Sequence, residues 1–335
     1  MPSPAELDRI NYVNIGLMLA SAALACALPF EVFLLSYAVL GPLHYLTQIS
    51  WLHDRGWFTT GKWDWIPLGL CGVLALEAAY GGWLGFDGAP FVAFGLGIVV
   101  AFVRNPAVKV ATFVACVALA VPMRSWFPAQ VFFGALLTTV VHVYVFTGLF
   151  ILAGSMKSGS RSGYASFAVF IGCGVGLLLI RPQTPITLTA YARANMEPFA
   201  GMVDAMVGLL PSWGRSGGDP PSAIMAVGRF LGFAYTYHYL NWFSKTGVIR
   251  WHEIGARRMA LIGILWLVSV ALYCYDYATG LAALFFLSMV HVFFEFPLDA
   301  RTFADIIGAR RPVAAPARAL AAGSARARAR ERARG

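Results

Sequence analysis

Ten apolar stretches, at about residues 12–30, 31–51, 64–84, 89–103, 107–122, 129–153, 164–180, 222–243, 259–277 and 280–298, succeed one another with little polar sequence between them. A hydrocarbon core about 30 Å thick is crossed by about 20 apolar residues in helical form. The chain is therefore expected to be all-α, a polytopic transmembrane helix bundle of about ten spans filling residues 1–300. The fourth and fifth stretches are the shortest, and the polar run from Arg104 to Lys109 separates them. Composition agrees: 59% of the residues are hydrophobic and 12% are charged, against about 25% charged in soluble domains. That balance excludes a soluble enzyme, a disordered chain and a nucleic-acid-binding module.

Charge then sets the orientation, because Lys and Arg accumulate on the cytoplasmic side of membrane proteins. With a cytoplasmic N-terminus, the inner segments hold twenty Lys and Arg, among them Arg55, Lys62, Arg104, Lys109, Lys157 and Arg258, and the outer segments hold four. Both termini are thus expected in the cytoplasm, as in a multi-pass protein of a bacterial inner membrane. Small residues around Cys26 resemble a signal-peptidase site, but a second apolar run follows at once, so the first stretch reads as an uncleaved helix. The longest outer loop, about 181–221, carries Met196, Phe199, Met202, Met206 and Leu209 at helical spacing, which predicts a short interfacial helix. Residues 301–335 form a basic Ala/Arg-rich tail, expected to be disordered and able to touch anionic lipid headgroups. The five cysteines are scattered singly on apolar stretches and read as small core residues.

The six histidines are placed unevenly. His44, His142, His238 and His291 fall in the second, sixth, eighth and tenth stretches, in the inner half of each or near its middle. All four of those stretches run from outside to inside. His53 and His252 lie just beyond the inner ends of the second and eighth, as candidate additional ligands. Ionisable groups within a span are expensive and face the bundle interior. Imidazole is the commonest metal ligand, and several imidazoles with few carboxylates suit iron, copper or zinc better than magnesium or calcium. Gln48, Asn241 and Glu295 stand three or four residues past a histidine, on the same helix face, where they could orient it. Glu77 and Arg229 are the other charges within spans and could pair or line a cavity. Taken singly, an intramembrane histidine is more often a hydrogen-bonded packing residue than a ligand. The Trp and Phe clusters at 51–65 and 242–251 read as an interfacial belt.

These residues resemble the membrane-bound β-carotene cleavage oxygenases of the Brp/Blh type, whose multi-helix bundles hold a non-haem iron on histidines from several spans. Gly41-Pro42-Leu43-His44 matches the Gly-x-x-His of an early helix in that family, although Gln48 stands where the family has an acid. The run Tyr235-Thr236-Tyr237-His238-Tyr239 is similar to its aromatic helix but continues to Trp242 where a second histidine is expected. His291 corresponds to a histidine of the last span. The resemblance covers four short patches and implies a ligand set of His44, His142, His238 and His291.

Four readings follow from the sequence. The first is a metal-dependent oxidoreductase, with non-haem iron before copper or zinc, acting on an apolar lipid or isoprenoid substrate that arrives from the bilayer. The second is a haem-binding electron carrier, the third a proton-coupled transporter with a His/Glu/Arg relay, and the fourth a scaffold in which the histidines only pack.

Overall fold

A computed structural model describes residues 3–83, 86–123, 125–180, 188–210 and 220–308. Among them every regular element is helical. The principal helices are α1 (Pro4–Ala27), α2 (Pro29–Asp54), α3 (Trp65–Gly81), α4 (Ala89–Phe102), α5 (Pro106–Met123), α6 (Phe127–Ser158) and α7 (Arg161–Leu179). They are followed by the short α8 (Ala190–Asn195) and α9 (Ala200–Leu209), then by α10 (Pro220–Ser244), α11 (Ala256–Tyr275) and α12 (Tyr277–Ile306). Seven of these, α1, α2, α5, α6, α7, α11 and α12, are long and apolar enough to cross a membrane, and α3 and α4 are shorter apolar helices. Each of the ten expected stretches coincides with a helix. The basic tail from residue 309 onward, and residues 181–187 and 211–219 of the long loop, lie outside the described residues.

Burial sorts the helices into an outer ring and a centre. Only 11% of the apolar stretch of α5 is buried and 17% of that of α11. Val110, Val114, Leu119, Ile264, Leu267 and Val268 stand exposed on them. Continuous apolar surface on this scale is foreign to soluble monomers and is what a helix turned toward lipid presents. The chain is accordingly an integral membrane protein. At the centre, α10 is buried almost without interruption from Ala223 to Tyr239, and α12 from Val290 to Pro297.

Tight helix contacts build that centre. On α10, Gly228 and Gly232 are four residues apart, and a Cβ at either would lie 2.6 Å from Phe30 or from the Pro29 carbonyl of α2. Small residues at this spacing let helices meet backbone to backbone. A Cβ at Gly97 of α4 would likewise lie 2.6 Å from Cβ of Phe296 on α12. A buried Ser36–Thr236 hydroxyl contact of 2.7 Å also joins α2 to α10.

Polar contacts gather at the two ends of the bundle. At one end, hereafter the basic end, Asn11 reaches Ser162 at 2.9 Å, Lys109 reaches Asp64 at 2.6 Å and Arg258 reaches Asp54 at 2.8 Å. At the far end Thr189 donates to Glu31 at 2.6 Å. The predicted loop helix forms there as α9, but its face is not left to the interface. Met202, Val203 and Met206 are buried against α6 and α10, and only Leu209 of the expected set faces out at 66% exposure. The loop is therefore a lid on the bundle.

Two helices depart from α geometry where they carry function-bearing residues. Residues Ser36–Leu40 of α2 wind as a π-helix, with the Gly41 N–H donating to the Ser36 carbonyl. Pro42 follows, without a backbone N–H to continue the ladder. Trp266 of α11 satisfies the nearby Val39 carbonyl at 2.8 Å. In α6, Gln130–Phe146 are π-helical, a wide winding that recurs at functional sites.

Candidate metal centre

His44 of α2, His142 of α6, His238 of α10 and His291 of α12 converge. All four are buried, with exposures between 1% and 7%. His44 and His238 meet Nε2 to Nε2 at 3.1 Å. Ring centroids lie 4.7 Å apart for His44–His238, 5.0 Å for His142–His238, 5.1 Å for His142–His291 and 5.6 Å for His44–His291. One ring nitrogen each from His44, His142 and His238 falls within 4.8 Å of the other two. Three imidazoles thus offer nitrogens to one point, and the His291 ring packs beside those of His44 and His142.

The rings are held by packing and by polar neighbours. Gly41 precedes His44 by three residues, and a Cβ there would lie 2.8 Å from the Tyr45 hydroxyl, so glycine makes room for the aromatic wall. Tyr45 stacks on His291 at 4.3 Å, and Trp242 meets His44 edge-on at 5.3 Å. Trp242 is fixed in turn by its indole N–H on the Thr47 hydroxyl at 3.0 Å. His238 Nδ1 lies 2.8 Å from the Thr147 hydroxyl of α6. If Nδ1 carries the proton and donates to Thr147, the Nε2 lone pair turns to the centre.

Of the three candidates expected to orient the histidines, only Glu295 approaches one, and it does so across helices. Glu295 does not serve His291 on its own helix: its Oε2 lies 3.5 Å from Nδ1 of His142. Gln48 hydrogen-bonds Glu295. Asn241 accepts from Tyr237 at 3.3 Å, on a different face of α10 from the imidazoles. Among the described ion pairs none joins Glu77 to Arg229. His53 is exposed beside Asp54 and Arg258, and His252 is exposed beside Trp251. Both stay at the basic end, away from the four.

The sequence reading missed Thr147, which stands five residues past His142 but serves His238, 91 residues further on, and Asp299. Asp299 is 4% exposed, and neither of its oxygens has a hydrogen-bond partner. Its signal was available: Glu295 and Asp299 are four apart on a helix already singled out.

Unsatisfied nitrogens give the centre its chemical sense. His44 Nδ1, both ring nitrogens of His142 and His291 Nδ1 are buried without a hydrogen-bond partner. Buried polar atoms are ordinarily paired, and leaving one unpaired costs about 1–3 kcal/mol. Several at one point, all nitrogen donors and with a carboxylate alongside, match the needs of a divalent transition ion.

A cavity of about 470 Å³ leads from His142, His238 and His291 toward the far end. One wall is the π-helical part of α6, where Gly134, Ala135, Thr138 and Thr139 leave space. Tyr37, Tyr45, Tyr235 and Tyr239 line the other side, and Phe199 and Met202 of the lid close the top. The tyrosine hydroxyls are used locally, Tyr45 with Tyr239 at 3.3 Å and Tyr37 with Ser288 at 3.1 Å. The space they leave is consequently largely apolar.

No protein-family model, curated protein or solved structure matches the chain. Its function must therefore be argued from this centre and cavity.

Proposed function

We propose that the protein is a membrane-embedded, metal-dependent oxidoreductase of about ten spans with both termini cytoplasmic. In this reading His44, His142, His238 and His291 hold one ion, with non-haem iron preferred. The observation that carries it is the cluster of four buried imidazoles, three of them with nitrogens close enough to share an ion, with unpartnered nitrogens, at the floor of a largely apolar cavity. A packing role leaves those nitrogens unexplained. A haem is a poorer fit, because with any two histidines as axial ligands the other two rings occupy space the macrocycle would need.

An iron held there supplies a redox-active centre able to engage dioxygen. The chain's own residues do the rest. Thr147 fixes the His238 tautomer, and Glu295 offsets positive charge beside His142. The tyrosine wall and the lid exclude water and align a lipid or isoprenoid chain with its reacting segment near the imidazoles. The resemblance to the Brp/Blh-type oxygenases supports the same reading. A bacterial inner membrane suits the distribution of basic residues.

Metal analysis of the detergent-purified protein, with an absorption spectrum of the same sample, tests the proposal. It expects about one iron per chain without a Soret band, and loss of the iron in His44→Ala and His291→Ala. A folded, metal-free protein, or unchanged metal in both variants, overturns it. A second reading, a proton-coupled permease, is favoured by buried Asp299, one helical turn beyond Glu295. It expects no bound metal, and substrate uptake into liposomes driven by a pH gradient.

A further inference from the structure

A second cavity, of about 950 Å³, opens at the basic end and shares no lining residue with the histidine site. Its walls come from four places: His53 at the end of α2, the 55–65 connection between α2 and α3, Arg104 beyond α4, and Arg301 of α12. Arg55, Lys62, Arg104 and Arg301 all line it, and no carboxylate does.

The nearby acids lie outside the lining, although Asp54 and Glu253 act on Arg55. Asp54 takes Arg258 at 2.8 Å. Asp64 takes Lys109 at 2.6 Å and the Gly61 N–H at 2.7 Å. Asp305 lies close enough to act on Arg301. Lys62 and Arg104 are exposed and take part in none of the described ion pairs. Topology alone requires cations on this side of the membrane, but it does not require them to face one hollow.

The backbone adds an independent mark. Gly56, Trp57 and Phe58 have φ of +62°, +58° and +55°. After Gly56, two successive left-handed aromatic residues, Trp57 and Phe58, are strained, and strain of this kind collects at ligand clamps. The turn is anchored from outside: Trp57 packs on Phe294 of α12 with ring centroids 4.5 Å apart. The Thr60 N–H donates to the Val100 carbonyl of α4 at 2.9 Å. The result is a bowl with an aromatic side and a cationic side at the basic end of the bundle.

We propose that this cavity binds a phosphate group, either that of an anionic phospholipid headgroup or a soluble phosphate. Lys62 and Arg104 supply the uncommitted donors. Arg55 and Arg301, which also donate to the Ile249 and Ala101 carbonyls, add charge, and Trp57 and Phe58 pack against the adjoining apolar part. Arginine forks and a lysine point charge are the side chains suited to phosphate oxygens. The inference is independent of the metal at the histidines.

Native mass spectrometry of the full chain in detergent tests it, with dioctanoyl phosphatidylglycerol, dioctanoyl phosphatidylcholine and inorganic phosphate as probes. The expected result is saturable binding of one phosphatidylglycerol per chain, weakened about tenfold or more in Lys62→Gln/Arg104→Gln. Neither of those residues holds the fold through a described hydrogen bond or ion pair. Lys157→Gln/Arg161→Gln, at the same end but outside the cavity, should bind as the parent does. Displacement of the lipid by inorganic phosphate assigns the site to soluble phosphates, and no displacement assigns it to lipid. Equal binding of phosphatidylcholine, equal binding by the Lys62/Arg104 variant, or no saturable binding of either phosphate probe overturns the proposal.

Discussion

His44 and His238 are 194 residues apart in the chain and meet Nε2 to Nε2 at 3.1 Å inside the bundle. Two neutral imidazoles satisfy each other at that distance only if one carries its proton on Nε2. With Thr147 at 2.8 Å from the Nδ1 of His238, the proton of that ring has a partner on the other side. The His238 Nε2 lone pair then faces His44, and the two Nε2 atoms can share an ion once His44 carries its proton on Nδ1. Thr147→Val keeps the volume and removes the acceptor, so it should weaken metal retention by about 10–100-fold. Thr147→Ser should restore it. The check is metal content after titration with a competing chelator, and equal retention in parent and Val variant would refute the tautomer argument.

Glu295 and Asn241 separate in the same assay. Both follow a histidine at helical spacing, yet only Glu295 reaches an imidazole, that of His142 at 3.5 Å. Glu295→Gln removes the negative charge while leaving an amide able to bond Gln48. Metal retention should fall by about tenfold. Asn241→Ala should leave metal unchanged and act only through Tyr237 and the Asn14 contact at its other side. Its effect belongs in the melting temperature.

The contrast between those two residues marks how far the sequence could be read. Apolar run length located the helices, because the bilayer imposes a span length on each one separately. The common depth of His44, His142, His238 and His291 was legible for the same reason, since a residue's place along a span fixes its depth. Rotation and neighbour choice were not legible. Whether Asn241 or Thr147 serves His238 depends on which faces of α6 and α10 meet, and the Gly228/Gly232 contact with α2 decides that for α10. The lid was half legible: spacing gave the helix at Ala200–Leu209, but not the buried floor that draws Met202 and Met206 inward.

The cavity can be filled without touching the imidazoles. Gly134 lines it, and a Cβ there would meet nothing within 4 Å. Gly134→Leu should therefore fold and keep its metal while occupying part of the 470 Å³. Binding of apolar ligands, followed by quenching of the cavity tyrosines and neighbouring tryptophans, should weaken by about tenfold or more. Unaltered ligand binding in a folded, metal-loaded Leu variant would show that substrate enters elsewhere.

Gly232 provides the complementary case, in which the fold is disturbed and the centre follows. A Cβ at this position would lie 2.6 Å from the Pro29 carbonyl oxygen, a backbone atom that cannot swing aside. Gly232→Val must push α10 away from the start of α2, an overpacking that costs about 1–3 kcal/mol. Six residues further along α10, His238 should move with the helix and lose its 3.1 Å approach to His44. The variant is expected to melt earlier in detergent and to lose metal together with stability. Gly263→Val, on lipid-facing α11 where a Cβ meets nothing within 4 Å, should change neither. A Gly232→Val protein with parental melting and parental metal content would mean that the α2–α10 contact does not set the position of His238.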